Sequence, residues 1–243
     1  MNIYKKRLRE LLIKVFKIDI KIIGKNSLTY RSLEYDISKL IDKSNPTVID
    51  VGANRGQTID MIRGAFGEPK IWAFEPNEEL ANQLKQRYAD LSVVVEHAAL
   101  GAQEEIKKFF HYENSELSSF LFLEKNNQSP FSEIKIKDEE NLKMTTLDIY
   151  CKKNDIIYID LLKIDTQGFD LEVLKGAVGL FRSRSVGVVQ VEINFAPLYE
   201  GQAAAGELID WLRANRFGLI GLYEQVRAPK ALAWATACFL PVD

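Results

Sequence analysis

The sequence predicts an α/β fold: a mostly parallel, seven-stranded sheet with helices on both faces and a C-terminal antiparallel hairpin. Three observations carry this. Short apolar runs such as Val48-Ile-Asp-Val51, Ile71-Trp-Ala-Phe74 and Asp160-Leu-Leu-Lys-Ile-Asp165 lack the strict polar alternation of half-exposed strands, as strands buried on both faces do. Helical segments stand between these runs, and strand–helix alternation requires crossover connections and hence parallel pairing. The alternation then ends in two strands with no helix between them, at 219–226 and 234–240, which predicts the hairpin. A chain of 243 residues, 47% hydrophobic, suffices for the core of one such domain. By pattern it divides into a helical extension over 1–45 and a single domain over 46–243, with an insertion at about 104–145.

Residues 3–42 read as mostly helical. Leu8, Leu11, Leu12, Val15 and Phe16 fall on one helical stripe whose opposite face is basic. This helix either docks on the core or rests peripherally on an anionic membrane surface. Ser44-Asn45-Pro46 is the break before the first strand, which ends in a glycine turn, Gly52-Ala-Asn-Arg-Gly56, and a helix from Gln57 to Arg63. After the second strand, residues 77–88 form a helix with Asn77 as N-cap and Leu80 and Leu84 turned inward. Ser92-Val-Val-Val-Glu96 is the third strand, followed by a small-residue turn at His97-Ala-Ala-Leu-Gly101. The insertion holds one extra strand at 106–112, polar loops, and an edge-like alternation at 134–137. Thr146 opens a short helix through Lys152, and Asp160–Asp165 is the fourth strand. One helix over 171–181, a strand over 186–193 and a helix over 207–215 closed by Gly218 complete the alternation.

Composition narrows the function classes. A net charge of −2 and a pI near 5.9 lack the basic field of a general nucleic-acid binder, so nucleic acid is not an expected partner. Cys151 and Cys238 form no C-x-x-C pair, which fits a reducing, cytoplasmic location and offers no zinc site. No apolar run reaches the ~18 residues needed to span a bilayer. Charges at Lys5, Lys6, Arg7, Arg9, Glu10 and Lys14 interrupt any signal-peptide core.

The glycine turn and the acid ending the second strand, Phe74-Glu75-Pro76, together form half of a nucleotide-binding fold. The glycines admit a ligand to the backbone, the following helix offers free N–H groups, and Glu75 suits two ribose hydroxyls. A dinucleotide site wants G-x-G-x-x-G so that pyrophosphate meets bare backbone, and Asn54 stands where that central glycine belongs. S-adenosylmethionine (SAM) has no phosphate and tolerates a side chain there, so it is the cofactor expected, ahead of NAD or FAD and of a packing turn with no ligand. Asp50, Glu75, Asp165 and Glu192 all lie in or at the ends of predicted strands, which brings four acids towards one rim of the sheet. Carboxylates so placed are costly without a partner, and imply a polar ligand. Asp165, Glu192 and Asn194 are also oxygen ligands of the sort a hard cation takes, as in catechol-type methyltransferases; alternatively the two acids pair with Lys163 or backbone, and no metal is assigned. His111 has no partner at ligand spacing and reads as a surface residue.

The ordered block Leu162-Lys-Ile-Asp-Thr-Gln-Gly-Phe-Asp-Leu-Glu-Val-Leu-Lys-Gly-Ala177, with Val48–Gly56, Phe74-Glu75-Pro76, Ala99-Leu-Gly101 and Thr146-Leu-Asp148, resembles the FkbM family of SAM-dependent methyltransferases. The likeness runs from about Val48 to Phe239. It implies the class I methyltransferase architecture and methyl transfer to a hydroxyl of a sugar, glycan or secondary metabolite. An N- or C-methyltransferase, or a SAM- or glycan-binding module without catalysis, are the alternatives. Asp50 holds the glycine turn or reaches the cofactor's amino group through water; the likeness further implies that Gly52, Ala53, Asn54 and Gly56 serve the methionine end of the cofactor, Glu75 and Pro76 the ribose, and His97 and Ala98 the adenine. Asp165 is the expected base or hydroxyl-orienting group and cofactor contact, supported by Lys163 and Glu192. For His97 and for Ser118 and Ser119 the competing readings are a satisfied histidine and ordinary loop serines. The family's usual block is L-K-I-D-x-E-G-x-E; here Gln167 replaces the first Glu and Asp170 the second. Gln167 keeps a hydrogen-bonding role and loses an anionic one.

Overall fold

The computed structural model describes residues 32–89, 91–125, 131, 133–228 and 231–243. The basic helix expected near the N-terminus lies outside these residues. Seven strands form the main sheet: β1 (Thr47–Val51), β2 (Lys70–Phe74), β3 (Val93–Glu96), β7 (Ile159–Ile164), β8 (Val186–Asn194), β9 (Phe217–Arg227) and β10 (Leu232–Pro241), in the order β3-β2-β1-β7-β8-β10-β9. The β1–β2, β2–β3, β1–β7 and β7–β8 pairs are parallel. β10 enters antiparallel between β8 and β9, which makes the C-terminal hairpin. Because β1 is flanked by β2 on one side and β7 on the other, the chain winding reverses between β1 and β7. The crevice at such a reversal is where open α/β sheets bind ligands.

Successive strand residues feed opposite faces. Ile49 and Leu162 point into a core with α4 (Leu147–Lys153), α5 (Asp170–Lys175), α6 (Val178–Arg182) and α7 (Ala205–Ala214). Their neighbours Val48 and Leu161 pack against α1 (Leu33–Leu40), α2 (Gln57–Ala65) and α3 (Glu78–Arg87). The apolar runs are therefore continuous because both faces are covered. Local capping sets the helix starts: Asn77 Oδ1 accepts from Leu80 N (3.0 Å) and Thr146 Oγ1 from Ile149 N (3.1 Å). The α1 helix is built into the core through Leu33, Ile37 and Ile41, and its buried Asp36 accepts from Tyr223 Oη at 2.8 Å.

Three features differ from the sequence expectation. The insertion is largely ordered as a second sheet, β4 (Ala99–Leu100), β6 (Ile136–Thr145) and β5 (Glu105–Tyr112), in the order β4-β6-β5. It packs through Phe110, Tyr112, Leu117 and Leu123 onto Leu198 and Tyr199 over the rim of the main sheet. The helix expected over 171–181 is two, split at Gly176-Ala177, where Gly176 presses so closely on the Gly101 carbonyl that a side chain does not fit. The α7 helix is closed not by Gly218, which lies in β9, but by Asn215 and the left-handed Arg216 (φ 64°).

Candidate active site

The chain leaves β1 through Gly52 (φ +80°), whose amide and that of Ala53 donate to Phe74 O (2.9 and 3.0 Å). A Cβ on Gly52 would sit 2.0 Å from Asp165 O, so only glycine permits the β1 and β7 ends to approach this closely. Asn54 takes a left-handed conformation (φ 46°) in the middle of the turn, and asparagine is one of the few residues that does so at low cost. Its amide donates to Glu75 Oε2 (2.7 Å) while the amide of Asn77 donates to Oε1 (2.9 Å). Each Glu75 oxygen thus holds one backbone N–H and has a lone pair left for a ligand. Burial pushes the Glu75 carboxyl up to about 7, against the downward pull of the Asn77 and Asn54 amides.

Asp50, Lys163 and Gln190 form a polar row across the interior of the sheet, side by side on β1, β7 and β8. Lys163 Nζ donates to Gly52 O (2.7 Å), lies 2.9 Å from Asp50 Oδ1 and is 3.9 Å from Asp165 Oδ2. Burial opposes its charge, but the carboxylates of Asp50 and Asp165 outweigh it and raise Lys163 above its ordinary value. Asp50 is wholly buried, and its pairing with Lys163, which also holds Gly52 O, links it to the turn. Asp165 follows β7, anchored by its amide to Val51 O (3.0 Å), and accepts from Gln167 Nε2 at 2.8 Å.

Two cavities meet at this rim. The first is walled by Gly52, Asn54, Glu75, Pro76, Ala98 and Asp165, with Phe109, Phe120 and Phe169 as an aromatic side and Ser115, Glu116 and Ser118 from the insertion as a cover. The second is walled by Gln57, Thr58, Lys163, Gln190, Glu192, Glu224 and Thr236. Gly52, Asn54 and Asp165 belong to both walls and stand between them.

A family model described as the methyltransferase FkbM domain matches residues 50–219. The chain belongs to the FkbM methyltransferase family. This FkbM methyltransferase is similar to the 2-O-methyltransferase NoeI of Sinorhizobium fredii (strain NBRC 101917 / NGR234), with 22% identity over 183 residues, 72% of this chain and 74% of NoeI. It is also similar to methyltransferase sdnD of Sordaria araneosa, with 27% identity over 186 residues, 67% and 70% of the two chains. Among solved structures, methyltransferase FkbM from Methylobacillus flagellatus KT is 17% identical with a TM-score of 0.49, covering 87% of this chain and 48% of that one. The chain therefore spans about half the length of that relative.

Of the residues expected from sequence, the FkbM fold brings Gly52, Asn54, Glu75, Pro76, Ala98 and Asp165 to the first cavity and Lys163 and Glu192 to the second. Ala53 is buried behind the turn, and Gly56 (φ +86°) starts α2. His97 is a satisfied histidine: its Nε2–H donates to Pro76 O (3.0 Å) and it joins neither wall. Ser118 reaches the first cavity, whereas Ser119 is a buried tie donating to Gln167 O at 2.7 Å. Asn194 is buried outside both walls. Among the described residues no group of three His, Cys, Asp or Glu is placed to hold a metal. His111 is not a surface residue but a clasp, bonded to Asn77 Nδ2 (3.1 Å) and Glu140 Oε1 (2.7 Å) between α3 and the second sheet. Asp170, the shorter replacement for the family's Glu, accepts from Thr166 N and Gly168 N (both 3.1 Å) and so fixes the turn after Asp165.

Three wall groups went unread in the sequence. The aromatic side of the first cavity looked like core, since Phe109 and Phe120 sit in a segment with no clear periodicity. Glu116 comes from a three-residue turn with no signature of its own. Gln190 did have a signal, a lone polar residue inside the apolar run at 186–193. No helix among the described residues is long and apolar enough to cross a membrane.

Proposed function

We propose that this protein is a SAM-dependent O-methyltransferase acting on a hydroxyl of a sugar, glycan or other small molecule, with the cofactor in the first cavity and the acceptor in the second. The observation that carries the reading is the shared wall: Asp165 faces both spaces beside the bare backbone of Gly52. The first cavity fits SAM on its own chemistry. It has a buried carboxylate with a free lone pair on each oxygen for a ribose diol, an apolar and aromatic side for a purine, and a turn that carries the Asn54 side chain where a dinucleotide site has glycine. Glu75 with Pro76 would hold the ribose, Ala98 and Phe120 the base, and the Gly52–Asn54 turn the amino-acid end. When bound, SAM supplies an electrophilic methyl group on a sulfonium that leaves as a neutral thioether.

The chain's own residues have two tasks, to align the acceptor oxygen and to take its proton. Asp165 performs both by accepting a hydrogen bond from the acceptor hydroxyl and then its proton. Gln167 Nε2 holds Asp165 Oδ1 (2.8 Å), which fixes the carboxylate's orientation. Lys163 acts one step back, fixing Gly52 O and lying 3.9 Å from Asp165 Oδ2. Glu192 lines the acceptor side. The similarity to a 2-O-methyltransferase at 22% identity supports hydroxyl chemistry.

The test is incubation of the full-length protein with SAM and a panel of glycan and polyketide acceptors, read by mass for a methyl gain. Asp165→Asn is expected to lower turnover by about 10²–10⁴-fold, as loss of a general base does, while SAM binds within a few-fold of wild type. Undiminished turnover in that variant removes Asp165 from the mechanism. SAM binding without methyl gain on any acceptor favours a binding module.

A further inference from the structure

The second cavity has a donor–acceptor balance of its own. Glu192 and Gln190 stand two apart on β8, and Glu192 pairs across to Thr236 on β10. Gln190 is only 6% exposed, and its Oε1 has no hydrogen-bond partner. Asn54 Oδ1, on the shared wall, is likewise buried and unpartnered. Thr236 spends its proton on Glu224 Oε2 (2.8 Å). The cation on this wall among the described residues, Lys163, is committed to Gly52 O and Asp50.

The wall is richer in acceptors than in donors: the carboxyl groups of Asp165, Glu192 and Glu224 and the buried, unpartnered amide oxygens of Gln190 and Asn54, against the side chains of Gln57 and Thr58, which can donate or accept. A buried acceptor without a donor is costly, so the ligand that fits must bring O–H and N–H groups. Charge narrows the class further. Burial first, and then the charges of Asp165 and Asp170, raise Glu192 well above the usual carboxylate range, and this repulsion is relieved by a ligand that brings positive charge. A phosphate or carboxylate would add to that repulsion and leave the acceptors empty. The described carboxylates do not converge as a metal site would. A protonated amine offers three donors and one compact positive charge.

We propose that the second cavity selects an acceptor carrying a protonated amine near its reacting hydroxyl, an amino sugar or comparable amino alcohol, and discriminates against phosphorylated and carboxylated acceptors. The inference rests on reading this cavity as the acceptor site. Its test is binding, not turnover. Saturation-transfer NMR on the full-length protein compares glucosamine, glucose and glucuronate as probes near neutral pH. Glucosamine is expected to bind about tenfold more tightly than glucose, and glucuronate not to compete. Raising the salt from about 50 to about 500 mM should erode the glucosamine advantage while leaving glucose unchanged. The double variant Glu192→Gln, Glu224→Gln should bring glucose and glucosamine to within about twofold of each other. Equal binding of glucose and glucosamine, a preference for glucuronate, binding of none of the three, or an amine preference indifferent to salt overturns the inference. S-adenosylhomocysteine binding, measured calorimetrically on the same sample, separates the two readings. Its absence removes the methyltransferase reading and this one with it, whereas intact binding without amine preference removes only this one.

Discussion

Glu75 and Gln167 are the residues whose chemistry is most sharply set by their neighbours. Glu75 is buried, held near 7, and already accepts two backbone amides. A ribose diol donates to a carboxylate, so the ligand favours the ionised form. Below pH 7 the proton must first leave, and affinity falls; above it affinity levels off. Calorimetry should therefore find S-adenosylhomocysteine bound about tenfold more weakly at pH 6 than at pH 8. Glu75→Gln should flatten that dependence and weaken binding at the higher pH. A wild-type affinity flat across this range would take Glu75 out of the cofactor site. Gln167 sits with positive φ (55°), donates to Asp165 and accepts from Tyr199 Oη at 2.8 Å. Gln167→Glu keeps the Tyr199 bond but sets a second carboxylate against Asp165, and two such groups share a proton until higher pH. The acid limb of the pH–rate profile should then move up by about one unit or more. An unmoved limb would mean that it does not report Asp165.

At the scale of elements, several of the bonds that fasten the insertion to the main rim meet at Tyr199, beside the Ser119–Gln167 tie and the His111 clasp. The Tyr199 hydroxyl lies 3.1 Å from Leu117 O and 2.8 Å from Gln167 Oε1, while Leu123 and Tyr199 form an isolated bridge. Tyr199→Phe keeps the ring in its core and removes both bonds. The short turn at Ser115–Leu117 should then exchange its amides faster, and S-adenosylhomocysteine should dissociate several-fold faster, with little change in the exchange of β1 or β7. Equal exchange in the variant would show that the Tyr199 hydroxyl does not hold the cover. This sheet was also the least legible part of the sequence. The β4 strand pairs with Met144 and Thr145, more than forty residues away, and β6 is polar and largely exposed along most of its length, so neither alternation nor apolarity marked it. By contrast β1, β2, β7 and β8 declared themselves, because burial on both faces demands unbroken apolar runs. The wall of the first cavity followed from them, since Gly52, Glu75 and Asp165 all stand at strand ends. His97 and Asn194 are also close to strand ends but line neither cavity, because position along a strand does not say which way a side chain turns.

For the whole molecule, the carboxyls gathered at one rim set how stability responds to pH. Glu75 and Asp170 are both raised to about 7, Glu75 by burial and Asp170 by burial and then the Asp165 charge. Each folded value lies above its ordinary one of 4.5 or 3.8. The fold therefore prefers the protonated acids, and their stabilising contribution is complete below about pH 4 and lost as pH rises through about 7. In that window each group removes at most ~1.4 kcal/mol per pH unit. Other titrations also shift the melting temperature, so the informative quantity is the difference between wild type and Glu75→Gln in the ligand-free protein. Glutamine stays neutral throughout, so wild type should lose ground to the variant as pH rises from 5 to 8. S-adenosylhomocysteine should offset that loss in wild type, because a bound diol stabilises the ionised carboxylate, and its thermal shift should be larger at pH 8 than at pH 6. A difference between the two proteins that does not change with pH would mean that Glu75 is already ionised in the ligand-free fold. The rim would then be preorganised for its ligand by backbone amides alone, with no free energy held back for binding to release.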